Sequence, residues 1–494
     1  MLYYNHYIKS FLKKQENMSL QQKIFSNTLV QIIGKLASTG LNLFAFALMT
    51  RELGQNGFGE YTTIITFLSF FAIMADLGLT LVTVQMISGD QEKENLILGN
   101  LFGLRLISSL IFIGLAPIIV QLANYNNSIK LGVLITAASF VFNALNQIMV
   151  GLFQTRLKMN RVAWAETLSR FVMIAGVIIS INLNWGLNGM LIATVSASLT
   201  SFLLHFIFAH RFAKIKPLFN WPVWQNILNL SWPLAITIAF NLIYLRADTL
   251  ILSLVKTADT VGLYGAAYKI IDVLSSLPFM FAGIILPIMI TTWRQNKEKF
   301  YKILQKSFDI MAAAAMPLVV GTQFLADKII VLIAGPDFLE AGIILRILIF
   351  AIAAIFMGNM MAHAIIAIKA QKKVIWIYVF TSITSLVAYI ILIPRFSYFG
   401  AAAVTIYSEA TIAVLSTWFI YRHLGFRICW RGTLKALIAS LLMGALLWIW
   451  PSTWTNSALG LLLTIAAAGL FYILFLGLLK AFRRSDLLLI FNKK

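Results

Sequence analysis

Thr50–Tyr61 reads TRELGQNGFGEY, and Leu250–Ile271 reads LILSLVKTADTVGLYGAAYKII. Both carry Gly-x-Tyr, at Gly59–Tyr61 and Gly262–Tyr264, at the junction of two long apolar runs. Superposing the motifs gives an offset of about 203 residues, the difference between positions 59 and 262. The three glycines of the first stretch invite comparison with a phosphate-cradling loop, but the stretch follows an apolar helix rather than a strand and lacks the Gly-Lys-Ser/Thr ending. Gly54, Gly57 and Gly59 are better read as an outward-facing turn with close helix approach.

The flanking runs define the class. Of 494 residues, 60% are hydrophobic and 12% charged, with a mean hydropathy of +0.86, which excludes an ordinary soluble domain. Apolar windows of about 20 residues, each enough to cross a hydrocarbon core as helix, recur from residue 26 to 480. They predict an all-α polytopic membrane protein of about fourteen helices. The first two are placed at 26–50 and 61–87, the ninth and tenth at 306–326 and 339–368, and the last pair beyond residue 430.

The net charge of +21 would suggest nucleic acid in a soluble chain; here the placement of the charges points elsewhere. Basic residues fill alternate loops: Arg156, Lys158 and Arg161; Arg211, Lys214 and Lys216; Arg294 to Lys302; Lys369, Lys372 and Lys373; Arg422, Arg427 and Arg431; and Arg483 and Arg484. The positive-inside rule then puts both termini in the cytoplasm, with SGDQEKEN at 88–95 as the exception. Trp221, Trp224, Trp232, Trp293, Trp450 and Trp454 stand near span ends as interfacial anchors. No cleavable signal is visible, and Met18 is an alternative start that would make residues 1–17 dispensable.

The 203-residue offset equals six spans, so both halves begin on the same side, as in a parallel repeat about an axis along the membrane normal. The expected organisation is a cytoplasmic segment 1–25, a six-helix lobe 26–210, a linker 211–227, a second six-helix lobe 228–421, and two extra helices with a basic tail over 422–494.

These residues resemble the Wzx-type polysaccharide flippases, within the superfamily that includes multidrug and toxin extrusion transporters and lipid II flippases. The resemblance rests on TRELGQNGFGEY followed by ADLGL at 75–79, on SWPLAITIAFNLIYLRADTLILS at 231–253, on VGLYGAAYKIIDVLSSLP at 261–278, and on LPIM at 286–289. It implies two lobes around a central cavity. It also implies movement of a polyprenyl-diphosphate-linked oligosaccharide, a surface polysaccharide repeat unit, across a bacterial cytoplasmic membrane by alternating access, with an H+ or Na+ coupling ion and a polysaccharide polymerase as expected partners.

Charges within the spans are the candidate site, since each costs roughly 2.5 to 3.5 kcal/mol at mid-bilayer unless it meets a partner or a wet cavity. Glu166 and Arg170, four apart with the acid first, suit a helical ion pair. Lys269 and Asp272, three apart, suit either a structural pair or a cavity pair. Arg246 and Asp248, two apart, lie on different helix faces and cannot easily neutralise each other, so Arg246 is the leading cavity cation. Lys35 and Arg105 lie roughly 10 to 12 Å into their spans and either snorkel or join it; Arg346 reads as an outer anchor. Asp76 and Glu409 lack a cation nearby in sequence and, with Asp248 and Asp272, are the coupling candidates; a helix-to-helix bond is the structural alternative. His205 and His363 read as ordinary hydrogen-bonded histidines. The cations Arg246, Lys35, Arg105 and Lys269 are expected to hold the diphosphate while the polyprenyl tail stays in lipid.

No nucleophile-base set, cofactor motif or metal-ligand spacing is present, and Cys429 has no partner for an internal disulfide. A cation-coupled multidrug exporter on the same fold is the alternative, and the mixed-sign deep charges fit it less well than the flippase.

Overall fold

The computed structural model describes residues 20–87 and 91–481. The alternative start at Met18, loop residues 88–90 and the tail arginines Arg483 and Arg484 lie outside the described residues. Among those residues the chain forms thirteen α-helices and no strand: α1 (Leu20–Asp76), α2 (Leu79–Met86), α3 (Gln91–Ile119), α4 (Asn127–Thr155), α5 (Met159–Asn182), α6 (Gly186–Ala209), α7 (Trp221–Val255), α8 (Ala258–Gln295), α9 (Lys297–Ala334), α10 (Ala341–Ala367), α11 (Ile375–Leu424), α12 (Arg431–Ile449) and α13 (Ala458–Leu478). Among the described residues eleven spans are long and apolar enough to cross a membrane; the one in α11 is bent and contains two expected spans, and the one in α1, also bent, contains most of the first and the start of the second, which breaks after Asp76 and resumes as α2. Polar residues start several helices where the sequence turns apolar. Asn126 accepts from Ile129 N at 3.0 Å, Asn296 from Lys299 N at 2.9 Å and Ser457 from Gly460 N at 3.0 Å.

The expected outward turn at TRELGQNGFGEY is not a loop. Helix continues through it and breaks at one residue, Gly54, with φ 61° and ψ −170°, a conformation that costs glycine little because it lacks a Cβ. In α11 the break falls on Ser397 at φ 54°. The ninth expected span also grows: α9 runs on through the apolar patch to Ala334, and Gly335, at φ 105°, ends it before Pro336.

The described residues form two compact units. One runs to Ala45 and from Phe67 to Ile238; the other holds Phe46–Thr66 and the chain from Ala239 on. The first is packed around Leu98, Ile148, Leu152 and Phe153, the second around Met289, Phe300, Phe308 and Ile365. Helices α12 and α13 join α9 through Leu325, Met443 and Leu461, and Tyr472 donates to Ala313 O at 2.6 Å. Side chains such as Ile118, Val414, Trp448 and Leu470 face outward, the apolar surface that lipid would cover.

Two features of the backbone carry the repeat. Inside the second unit, a Cβ on Gly59 would overlap the carbonyl oxygen of Ala258, and a Cβ on Gly262 would overlap that of Gln55. Asn56 Nδ2 lies 3.3 Å from Asp259 Oδ2. The contacts exchange under the repeat offset: positions 55 and 59 correspond to 258 and 262, so 59 against 258 mirrors 262 against 55, and 56 meets its own equivalent, 259. Such reciprocity is what a two-fold axis passing between equivalent segments produces.

The second feature lies where each half ends. After α6, residues 213–220 cross α3: Lys214 N bonds Asn95 Oδ1 (3.1 Å), Leu218 N bonds Gly99 O (2.9 Å) and Asn220 N bonds Asn100 Oδ1 (2.9 Å). After α11, residues 425–430 cross α9: Gln305 exchanges bonds of 2.9 and 3.0 Å with Cys429 N and O, and Tyr301 OH donates to Leu424 O (3.1 Å). Each half thus lays a strap over its own third span.

Candidate functional site

Arg246 lies on α7 nine residues before Val255, about 14 Å from the helix end at 1.5 Å per residue. The two-residue spacing sends it and Asp248 to different surroundings. Asp248 is fully buried. Its Oδ2 accepts from Tyr264 OH at 2.6 Å and lies 3.4 Å from Thr405 Oγ1; its Oδ1 accepts from Thr249 N and Oγ1 at 2.5 and 3.1 Å. Tyr389 OH extends the network, 3.3 Å from Thr405 Oγ1 and donating to Tyr244 O at 3.2 Å. The tyrosine of the second Gly-x-Tyr motif is therefore the main hydroxyl donor to a buried acid.

Arg246 meets an acid from the next helix. Its Nη2 lies 3.0 Å from both oxygens of Asp272, and its guanidinium stands 5.2 Å from the centroid of the Tyr268 ring. Tyr268 OH donates to Leu245 O at 3.0 Å, which fixes the ring beside the arginine. The two charged side chains are 36% and 37% exposed. A charged pair well inside an apolar helix that stays open over a third of its surface suits a wet cavity, because lipid would leave both charges unsolvated. Because more than a third of each side chain is open, solvent screening keeps the attraction within this pair modest. Lys269, the next residue after Tyr268, has its Nζ 6.0 Å from the Phe46 ring centroid.

In the first unit Arg105 and Asp76 form an ion pair, and Arg105 also donates from Nη1 to Asp76 O (3.0 Å) and from Nε to Ala144 O (3.1 Å). Thr80 Oγ1 adds a bond to Asp76 Oδ1 at 2.5 Å. Arg105 is 3% and Asp76 8% exposed, so Arg105 does not snorkel and Asp76 does have a cation. Asp76 is the last residue of α1, whose terminal carbonyls have no partner within the helix; the arginine caps that end as well as neutralising the acid.

Other expectations shift in the same way. Glu166 and Arg170 make no ion pair among the described residues; Arg170 Nη1 lies 3.4 Å from Asn42 Oδ1. Arg346 bonds Asp327 at 2.6 Å. Lys35 is exposed. Glu409, one turn after Thr405, is buried with no hydrogen-bond donor or cation on it among the described residues. His205 and His363 bond the carbonyls of Ser201 and Asn359, four residues earlier, at 2.7 and 2.8 Å. Among the described residues no three His, Cys, Asp or Glu side chains gather as metal ligands.

Comparison with known proteins agrees with this architecture. Residues 22–293 match the family described as "Polysaccharide biosynthesis protein", and the chain belongs to that family. It is 20% identical over 429 residues to the "probable low-salt glycan biosynthesis flippase Agl15" of Haloferax volcanii, spanning 84% of this chain and 87% of that one. It is 21% identical over 369 residues to the "capsular polysaccharide biosynthesis protein CapF" of Staphylococcus aureus, 74% of this chain and 90% of the other. Among solved structures, the lipid II flippase MurJ in an inward closed conformation is similar in fold, with a TM-score of 0.75 at 19% identity over 91% of this chain and 98% of that one. An inward-facing multidrug resistance MATE transporter follows at 0.61 and 16%, over 80% and 98%.

Proposed function

We propose that the chain is a flippase that carries a polyprenyl-diphosphate-linked oligosaccharide, the repeat unit of a surface polysaccharide, across the bacterial cytoplasmic membrane. The family supports the substrate class, and the fold, shared with transporters, supports alternating access. The observation that carries the site is Arg246: a permanent cation well inside an apolar helix, held by Asp272 and Tyr268 with a third of its side chain open. A guanidinium presents N–H groups in a fixed fork that suits phosphate oxygens. Lys269 is assigned a supporting role, and Arg105, tied to Asp76, is assigned the first unit's integrity. Coupling is assigned to Asp248 and Glu409, because a buried carboxylate that binds H+ or Na+ loses the cost of its charge. The alternate basic loops support cytoplasmic termini, and a polymerase acting on the delivered unit is the expected partner.

The test is translocation of a fluorescent lipid-linked oligosaccharide in proteoliposomes. Arg246→Ala is expected to abolish it while the protein remains monodisperse in detergent. Wild-type transport by this variant would remove Arg246 from the site.

A further inference from the structure

We propose that Asp272 is the resting counter-ion of Arg246 and exchanges places with the lipid diphosphate in every cycle, so that the arginine is never left bare. The inference rests on Arg246 being the diphosphate-binding cation.

The geometry distinguishes this pair from the other deep one. Arg105 is committed: Nη1 and Nε serve Asp76 and the carbonyls of Asp76 and Ala144, and the pair is closed to water. Arg246 gives Asp272 only Nη2; its Nε and Nη1 make no protein hydrogen bond among the described residues. Three N–H groups have no partner among the described residues and suit an incoming anion, on a side chain already a third open. A diphosphate carries more charge and more acceptor oxygens than one carboxylate and can engage the unused edge before Asp272 lets go. Tyr268 covers one side of the guanidinium in either state. On release the carboxylate returns, which removes the penalty of an uncompensated cation in a low-dielectric site. Asp272 therefore weakens binding and speeds departure, the balance a carrier needs, since an anchor that only binds tightly does not turn over. Asp248 does not take this part: its oxygens are already bound to Tyr264 and Thr249.

The experiment compares wild type, Asp272→Asn, Asp272→Glu and Arg246→Ala in two assays: binding of undecaprenyl diphosphate to detergent-solubilised protein, and translocation of the lipid-linked oligosaccharide in proteoliposomes. Asp272→Asn is expected to bind the probe about tenfold more tightly and to turn over about tenfold more slowly, the coupling expected of two anions sharing one site. Asp272→Glu keeps the charge and is expected to stay close to wild type in both. Unchanged or weaker binding by Asp272→Asn overturns the counter-ion role, as does an Asp272→Glu variant that behaves like Asp272→Asn. The underlying reading fails separately, if wild type does not bind the probe or Arg246→Ala binds it as wild type does.

Discussion

Gly59 and Gly262 face each other across the point where the two halves of the sequence meet, each lacking the Cβ that would overlap a carbonyl of the other segment. Their backbones approach so closely because both positions lack side chains. Gly59→Ala or Gly262→Ala is expected to lower thermal stability in detergent by about 1 to 3 kcal/mol, the usual cost of overpacking. The double variant is expected to lose less than the sum, because one displacement relieves both contacts. Gly114→Ala, where an added Cβ meets nothing within 4 Å, is expected to be neutral or to gain up to about 1 kcal/mol from helix propensity. Equal losses at all three would show that the crossing has no special tightness.

Arg105 and Asp76 give a second measurable coupling. Removing one member, as in Arg105→Met, strands a buried charge and is expected to cost about 3 to 5 kcal/mol. The double variant Arg105→Met with Asp76→Leu is expected to recover much of that, because no unpaired charge remains. Thermal unfolding midpoints of the four proteins complete the cycle; strict additivity would mean that the pair is not coupled.

The Asp248 network predicts an order rather than one value. Tyr264→Phe removes the 2.6 Å bond and is expected to cost about 1 to 3 kcal/mol as Asp248 loses its shortest hydroxyl donor. Thr405→Val removes a 3.4 Å contact and is expected to cost less. Reversal of that order in thermal stability would place the main support of Asp248 elsewhere.

The all-α class and the repeat offset were legible because hydropathy and a glycine motif are local signals, and a glycine conserved in register between two copies marks a backbone contact whatever the tertiary detail. The bend at Gly54 was not legible as a bend: the same glycines suit a loop, and only the surrounding packing keeps helix on both sides of it. The charges show the limit more sharply. Spacing rules see partners three or four residues apart, so they favoured Glu166 with Arg170 and left Asp76 alone, whereas the deep pairs span 29 residues, Asp76 with Arg105, and 26, Arg246 with Asp272. What spacing did show was negative and useful: Arg246 and Asp248 could not serve each other, and both found partners on other helices.

The straps provide a test of topology and packing together. Residues 213–220 lie over Gly99 and Gly103, and a side chain at Gly103 would overlap the carbonyl of Leu218. Gly103→Val is expected to lift the strap and expose the bonds after Arg211 and Lys214 to trypsin. In the second half, Gln305→Ala removes both bonds to Cys429 and is expected to expose the bond after Arg427. Loss of about 1.4 kcal/mol of local stability raises the open population, and so the cleavage rate, about tenfold where opening is fast. If the basic loops face the cytoplasm, cleavage occurs in inside-out vesicles and is absent in right-side-out ones. Fast cleavage of the wild type at Lys214 in inside-out vesicles would show that the strap is not held by α3, and cleavage confined to right-side-out vesicles would invert the topology.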